Sequence, residues 1–137
     1  MKKLFVCLLM AFAMNINAQD KQVPLSIKTF ELYSTMKKSN SFKDFPALPE
    51  TVTEHYVGGQ LMYTAAETDK FTLHIMPDGE YRFKLKKPAP TMAESTYYIR
   101  FPNNQVFGYV MHTLKTGVVQ VTVYQGEKFV YTGDIKK

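Results

Sequence analysis

The sequence predicts a mainly β protein with an N-terminal helix (α+β), its strands forming an antiparallel β-meander in a barrel-like sheet or a sandwich. Three observations carry this expectation. From Thr51 onward, apolar and polar residues alternate with period two in about eight short segments. Turn signals separate these segments, and short turns join antiparallel neighbours, because a parallel return needs a crossover of about a dozen residues or more. Before Thr51 the apolar residues recur instead at helical intervals.

Residues 1–18 read as a signal peptide. Met1-Lys2-Lys3 is a positive start, Leu4 to Met14 is an apolar run, and Asn15-Ile16-Asn17-Ala18 precedes Gln19-Asp20 as a cleavage region ending in a small residue. The run is shorter than the ~20 apolar residues of a spanning helix. The alternative is a buried core helix over the same residues. With a leader, the mature chain is expected to be exported, periplasmic or secreted. Cys7, the one cysteine, then leaves with the leader, and thiolate catalysis, a cysteine metal site and disulfides are all excluded from the mature chain. Of the 17 basic side chains Lys2 and Lys3 also leave, so 15 face 12 acidic ones and the net charge is +3. That balance is too small to point to nucleic acid. Hydrophobic residues at 45% and charged residues at 21% indicate an ordered globular chain.

Residues 19–50 are expected to hold the helix and a connector. The helix is placed over Val23 to Ser39, with Pro24 in its first turn and Leu25, Phe30, Leu32, Tyr33 and Met36 on one side. A strand over Leu25 to Ile27 is the local alternative, since Ile27 and Thr29 are β-branched. The connector, Ser39 to Glu50, carries Pro46 and Pro49, and its Phe42, Phe45 and Leu48 are expected to tuck against the body.

Residues 51–137 are expected to form the antiparallel β domain, packed with the helix as one unit. Gly58-Gly59 separates Val52 to Val57 from Gln60 to Ala65 as a two-residue hairpin signal. Phe71 to Met76 and Glu80 to Lys86 flank Pro77-Asp78-Gly79, a turn whose residues fix φ, bond locally and accept positive φ in sequence. Phe71, Leu73 and Ile75 share a face, as do Tyr81, Phe83 and Leu85, which leaves Thr72, His74, Arg82, Lys84 and Lys86 on the opposite side. Lys87 to Ser95, with Pro88 and Pro90, is expected to bridge two sheets or cover an end of one. Tyr97, Ile99 and Phe101 alternate with Tyr98 and Arg100, and Pro102-Asn103-Asn104 turns into Gln105 to Thr113. Val119, Val121 and Val123 alternate with Gln120 and Thr122 before a last strand over Lys128 to Thr132.

Catalytic chemistry is thinly supplied. His55, His74 and His112 sit singly on three predicted strands, with no short metal-ligand spacing, so no metal and no cofactor is expected. His112 shares its face with Val110 and Leu114 and reads as a hydrogen-bonded interior or rim histidine, while His55 beside Glu54 reads as solvated. The carboxylates Glu67, Asp69, Asp78, Glu80 and Glu127 punctuate turns. No serine sits in a glycine-flanked nucleophile turn, and Gly58-Gly59 lacks the further glycines and lysine of a phosphate loop. The chain is therefore not expected to be an enzyme.

Two features carry binding. A basic stripe of Arg82, Lys84, Lys86 and Lys87, with His74 on the partner strand, would steer an anionic partner; the competing reading is a solvated face that blunts an edge strand. Phe107, Tyr109 and Met111 form a second apolar face against Val106 and Val110, so that strand is either buried on both sides or exposes a contact patch. Tyr63, Tyr98, Tyr109 and Tyr124 add interface-suited side chains away from the aliphatic faces. The expected function is a secreted or periplasmic non-catalytic module that binds another protein, inhibitor-like, immunity-like or an envelope component. The alternatives are a barrel-type carrier of a small apolar ligand or lipid, and a small hydrolase.

Overall fold

A computed structural model describes residues 18–125 with their side chains, and the backbone of residues 128–135. Apart from Ala18, the expected leader lies outside the described residues. Among the described residues the elements are β1 (Ala18–Pro24), α1 (Ile27–Lys37), β2 (Thr51–Val57), β3 (Gln60–Glu67), β4 (Phe71–Ile75), β5 (Tyr81–Leu85), β6 (Met92–Arg100), β7 (Phe107–Leu114), β8 (Val119–Gln125) and β9 (Lys128–Ile135). No helix among the described residues is long and apolar enough to cross a membrane.

The strands form one sheet in chain order, β1 to β9, each antiparallel to its sequence neighbours. The meander is the one the turn signals imply, and β2 to β9 are the eight segments read from Thr51 onward. The sheet is open, with β1 and β9 as its edges, and does not close into a barrel. Residues 87–91 do not bridge two sheets: β5 pairs directly with β6, so this segment is a loop within the same sheet. Gly58 and Gly59 take φ of +59° and +78°, the double positive φ that matches a tight turn to the twist of its strands.

The helix starts four residues later than expected. Val23 and Pro24 instead finish β1 opposite Val52 and Thr51, and the Leu25 N–H then donates to the Glu50 carbonyl at 2.7 Å. Ser26, with extended φ and ψ, caps the helix by accepting from the Thr29 N–H at 3.1 Å. Thr29, Tyr33 and Met36 recur at i, i+4 and i+7 and form the buried face. That choice turns Phe30 outward, 60% exposed, against the expectation that it joins the inner side.

The core lies between this helical face, the connector and the inner face of the sheet. Phe71, Leu73, Tyr81, Phe83 and Ile99 are buried there together with Tyr33, Met36 and Phe42. Phe45 meets the rings of Phe71 on β4, Phe83 on β5 and Tyr97 on β6, with centroids 5.2, 5.7 and 5.6 Å away. Phe42 meets Tyr97 and also Tyr124 on β8, at 5.8 and 5.2 Å. In a flat sheet β4 and β8 would stand ~19 Å apart at the usual strand spacing. Two adjoining phenylalanines reach both, so the sheet is curled around the connector. The Tyr33 hydroxyl donates to the Pro46 carbonyl, tying helix to connector.

Candidate functional site

The outer face of the curled sheet carries a row of planar side chains, placed by register. Asp20 on β1 lies opposite His55, His74 opposite Arg82, Arg82 opposite Tyr98, Tyr98 opposite Tyr109, and Tyr109 opposite Val123. Tyr63 stacks between His55 and His74, with centroids 4.9 and 4.2 Å apart. Farther along the row the Arg82 guanidinium lies 5.9 Å from the Tyr98 ring centre, and Tyr98 stacks on Tyr109 at 4.9 Å. These planes stack on one another across the strands. The His55 Nδ1–H donates to the Asp20 carboxylate at 2.6 Å, so His55 is held by a partner on β1 and is not simply solvated beside Glu54.

Along the row the face changes from a charged half on β4 and β5 to an apolar half on β7 and β8. On the charged half the predicted basic stripe is largely neutralised. Arg82 pairs with Glu80 at 2.7 Å, Lys84 with Glu94 at 3.7 Å and Lys86 with Glu67 at 2.8 Å, while Lys87 follows the end of β5. Pairing with Lys86 holds the Glu67 carboxyl below its ordinary range, and pairing with Arg100 does the same for Asp78. Exposed pairs of this kind contribute little stability. Their effect is to remove most of the positive field expected from the lysines.

On the apolar half Phe107 is 46% and Tyr109 38% exposed, while Val106 and Val110 on the other side of the same segment are buried. The two-faced segment therefore exposes a patch. Met111 lies opposite Val121, and Tyr109 opposite Val123, so these two half-buried valines border the patch, while Val119 on the same face is buried. The inward positions of β8 fall to Gln120, Thr122 and Tyr124, in register with His112, Val110 and Gly108.

Of the three histidines, His55 and His74 share the outer row and His112 lies on the inner side. Among the described residues no group of three histidine, cysteine or carboxylate side chains is placed to hold a metal ion. The Ser95 Oγ stands 2.7 Å from His112 Nδ1, and the two residues are in register on β6 and β7. Ser95 is only 1% exposed, so its hydroxyl is packed away from solvent. The Ser95 hydroxyl donates to the Met92 sulfur at 3.4 Å, and burial pushes the His112 pKa down, favouring a neutral ring. No sequence spacing flags this pair, because the residues are 17 apart and meet only through strand pairing.

A stability prediction follows from the histidines. Burial also lowers the His74 pKa; Arg82 and His55 reinforce that shift and Glu67 opposes it. The unfolded chain takes up protons at the ordinary histidine value of about 6.5, whereas these two folded sites take them up lower. The unfolded state therefore binds more protons in that interval, and stability rises with pH. The urea midpoint is expected to fall as pH drops from about 7.5 to about 5, ahead of any carboxylate titration. A variant carrying His74→Gln and His112→Gln should flatten the profile over that interval; an unchanged slope would remove the histidines as its cause.

This chain matches no family model, no curated protein and no solved structure.

Proposed function

We propose that the protein is an exported, non-catalytic interaction module that docks another protein through the outer face of β6, β7 and β8. The observation that carries the reading is the exposure of Phe107 and Tyr109 on the strand whose opposite face supplies the core, beside Met111, Val121 and Val123. Contiguous exposed apolar surface with a polar surround is characteristic of contact sites. Aromatic residues and methionine are the types enriched in them. The ion-paired half of the face then serves as a rim that sets orientation more than affinity.

Two further observations favour this reading over its competitors. The space enclosed by the sheet is occupied by Phe42, Met36, Phe71 and Phe83, each at most 1% exposed, which weighs against a carrier that holds its ligand inside the curl. Burial of Ser95 weighs against a hydrolase built on Ser95 and His112.

The test uses the mature chain, immobilised and exposed to an envelope extract of its source cells. One protein should be retained stoichiometrically; Met111→Lys should abolish retention, while Thr72→Lys on the charged half should leave it intact. Retention of nothing, or retention indifferent to Met111→Lys, would overturn the proposal.

A further inference from the structure

A cleft of about 630 Å³ opens between the first turns of α1, the β4–β5 turn and the segment joining β6 to β7. Its size lies within the ~300 to 1,000 Å³ of ordinary small-molecule sites. Leu32 of the helix, Ile75 of β4, and Phe101 and Phe107 at either end of the β6–β7 connection supply apolar walls. Charge enters through Lys28, Arg100 and Asp78.

The state of these three groups sets the ligand's charge. Arg100 donates to the Asp78 carbonyl at 3.2 Å, to its carboxylate at 2.9 Å and to Glu80 at 3.4 Å. A guanidinium has five N–H donors, so two remain for another acceptor. Among the described residues no carboxylate forms an ion pair with Lys28. The lining thus holds two cations against one carboxylate, and Glu80 behind it is offset by its own pair with Arg82 at 2.7 Å. A single negative charge balances it, whereas a dianion would be repelled by Asp78. A cation would meet Lys28 unscreened.

The opposite side of the cleft is preorganised. Tyr81 and Thr29, both in the lining, are joined hydroxyl to hydroxyl at 3.3 Å, and Ser26 donates to the same threonine oxygen at 2.8 Å. These groups are occupied with one another and leave ionic contact to Lys28 and Arg100. Pro102, also in the lining, opens a turn in which Asn103 and Asn104 both hold positive φ, +53° and +59°. Asparagine is among the few residues besides glycine that adopt this conformation readily.

We propose that this cleft binds a small amphipathic monoanion, an apolar chain or ring ending in one carboxylate, with the carboxylate between Lys28 and Arg100 and the apolar body against Leu32, Ile75 and Phe101. This is a second site, separate from the docking face except for Phe107, which borders both.

Calorimetric titration of the chain with decanoate, using decan-1-ol as the uncharged control, tests it. One decanoate per chain should bind, and decan-1-ol should bind about tenfold more weakly, as expected for loss of charge-assisted hydrogen bonds. Lys28→Gln and Arg100→Gln, both at exposed positions, should each weaken decanoate about tenfold and leave decan-1-ol unchanged. Leu32→Trp should abolish binding of both, and Met111→Lys on the docking face should affect neither. No saturable decanoate binding, equal affinity for the alcohol, or indifference to Arg100→Gln would overturn the proposal. Binding lost in Met111→Lys but kept in Leu32→Trp would place decanoate on the outer face and overturn it as well.

Discussion

Phe42→Ala is expected to destabilise the protein by about 3 to 5 kcal/mol, read as a fall in the urea midpoint at unchanged slope. Phe42 belongs to neither the helix nor a strand, yet it is 1% exposed and its ring meets Phe45, Tyr97 and Tyr124. It therefore joins the middle of the sheet to β8 from inside. Removing it leaves a cavity whose walls come from three separate segments, none of which can collapse without uncurling the sheet. Phe30→Ala is the internal comparison, since that ring is 60% exposed. Its loss should stay within about 0.5 kcal/mol apart from helix propensity. A Phe42→Ala loss under about 1 kcal/mol would mean that the connector merely lies on the body.

The contrast between these two phenylalanines shows how far sequence pattern reaches. Alternation identified both faces of β4 and β5 correctly, because Phe71, Leu73, Tyr81 and Phe83 lie on one side with charged residues on the other and a Pro-Asp-Gly turn fixes the register. It failed for β1, whose Ala18-Gln19-Asp20-Lys21-Gln22 has no apolar alternation; this strand is an edge, held by backbone pairing with β2. It was incomplete for β8. Period two separates Val121 and Val123 from Gln120 and Thr122, but which set faces inward is decided by pairing with β7 and by Tyr124 reaching Phe42. The candidate site divides the same way. Phe107, Tyr109 and Met111 were legible because one segment carried two apolar faces, whereas the neutralising Glu67, Glu80 and Glu94 stand outside the basic strand and reach it only in the folded sheet.

Gly108→Ala should cost about 3 kcal/mol or more, or prevent folding altogether. A Cβ at this position would stand 2.0 Å from the Tyr98 carbonyl oxygen and 2.9 Å from the Ile99 Cα, both backbone atoms of the paired strand β6. No side-chain rotamer can relieve that overlap; β6 and β7 would have to part. The parting would act at the base of the outer patch, because Tyr98 stacks on Tyr109, the residue after Gly108. Gly79→Ala isolates backbone conformation from this crowding. Gly79 has a positive φ, +92°, and an added Cβ would meet nothing within 4 Å. Its cost should therefore be confined to the ~1 to 2 kcal/mol of forcing an L residue into a left-handed conformation. Urea denaturation of both variants separates the effects. Equal losses for the two glycines would show that β6 and β7 are not in close approach at Gly108, and that the patch does not depend on it.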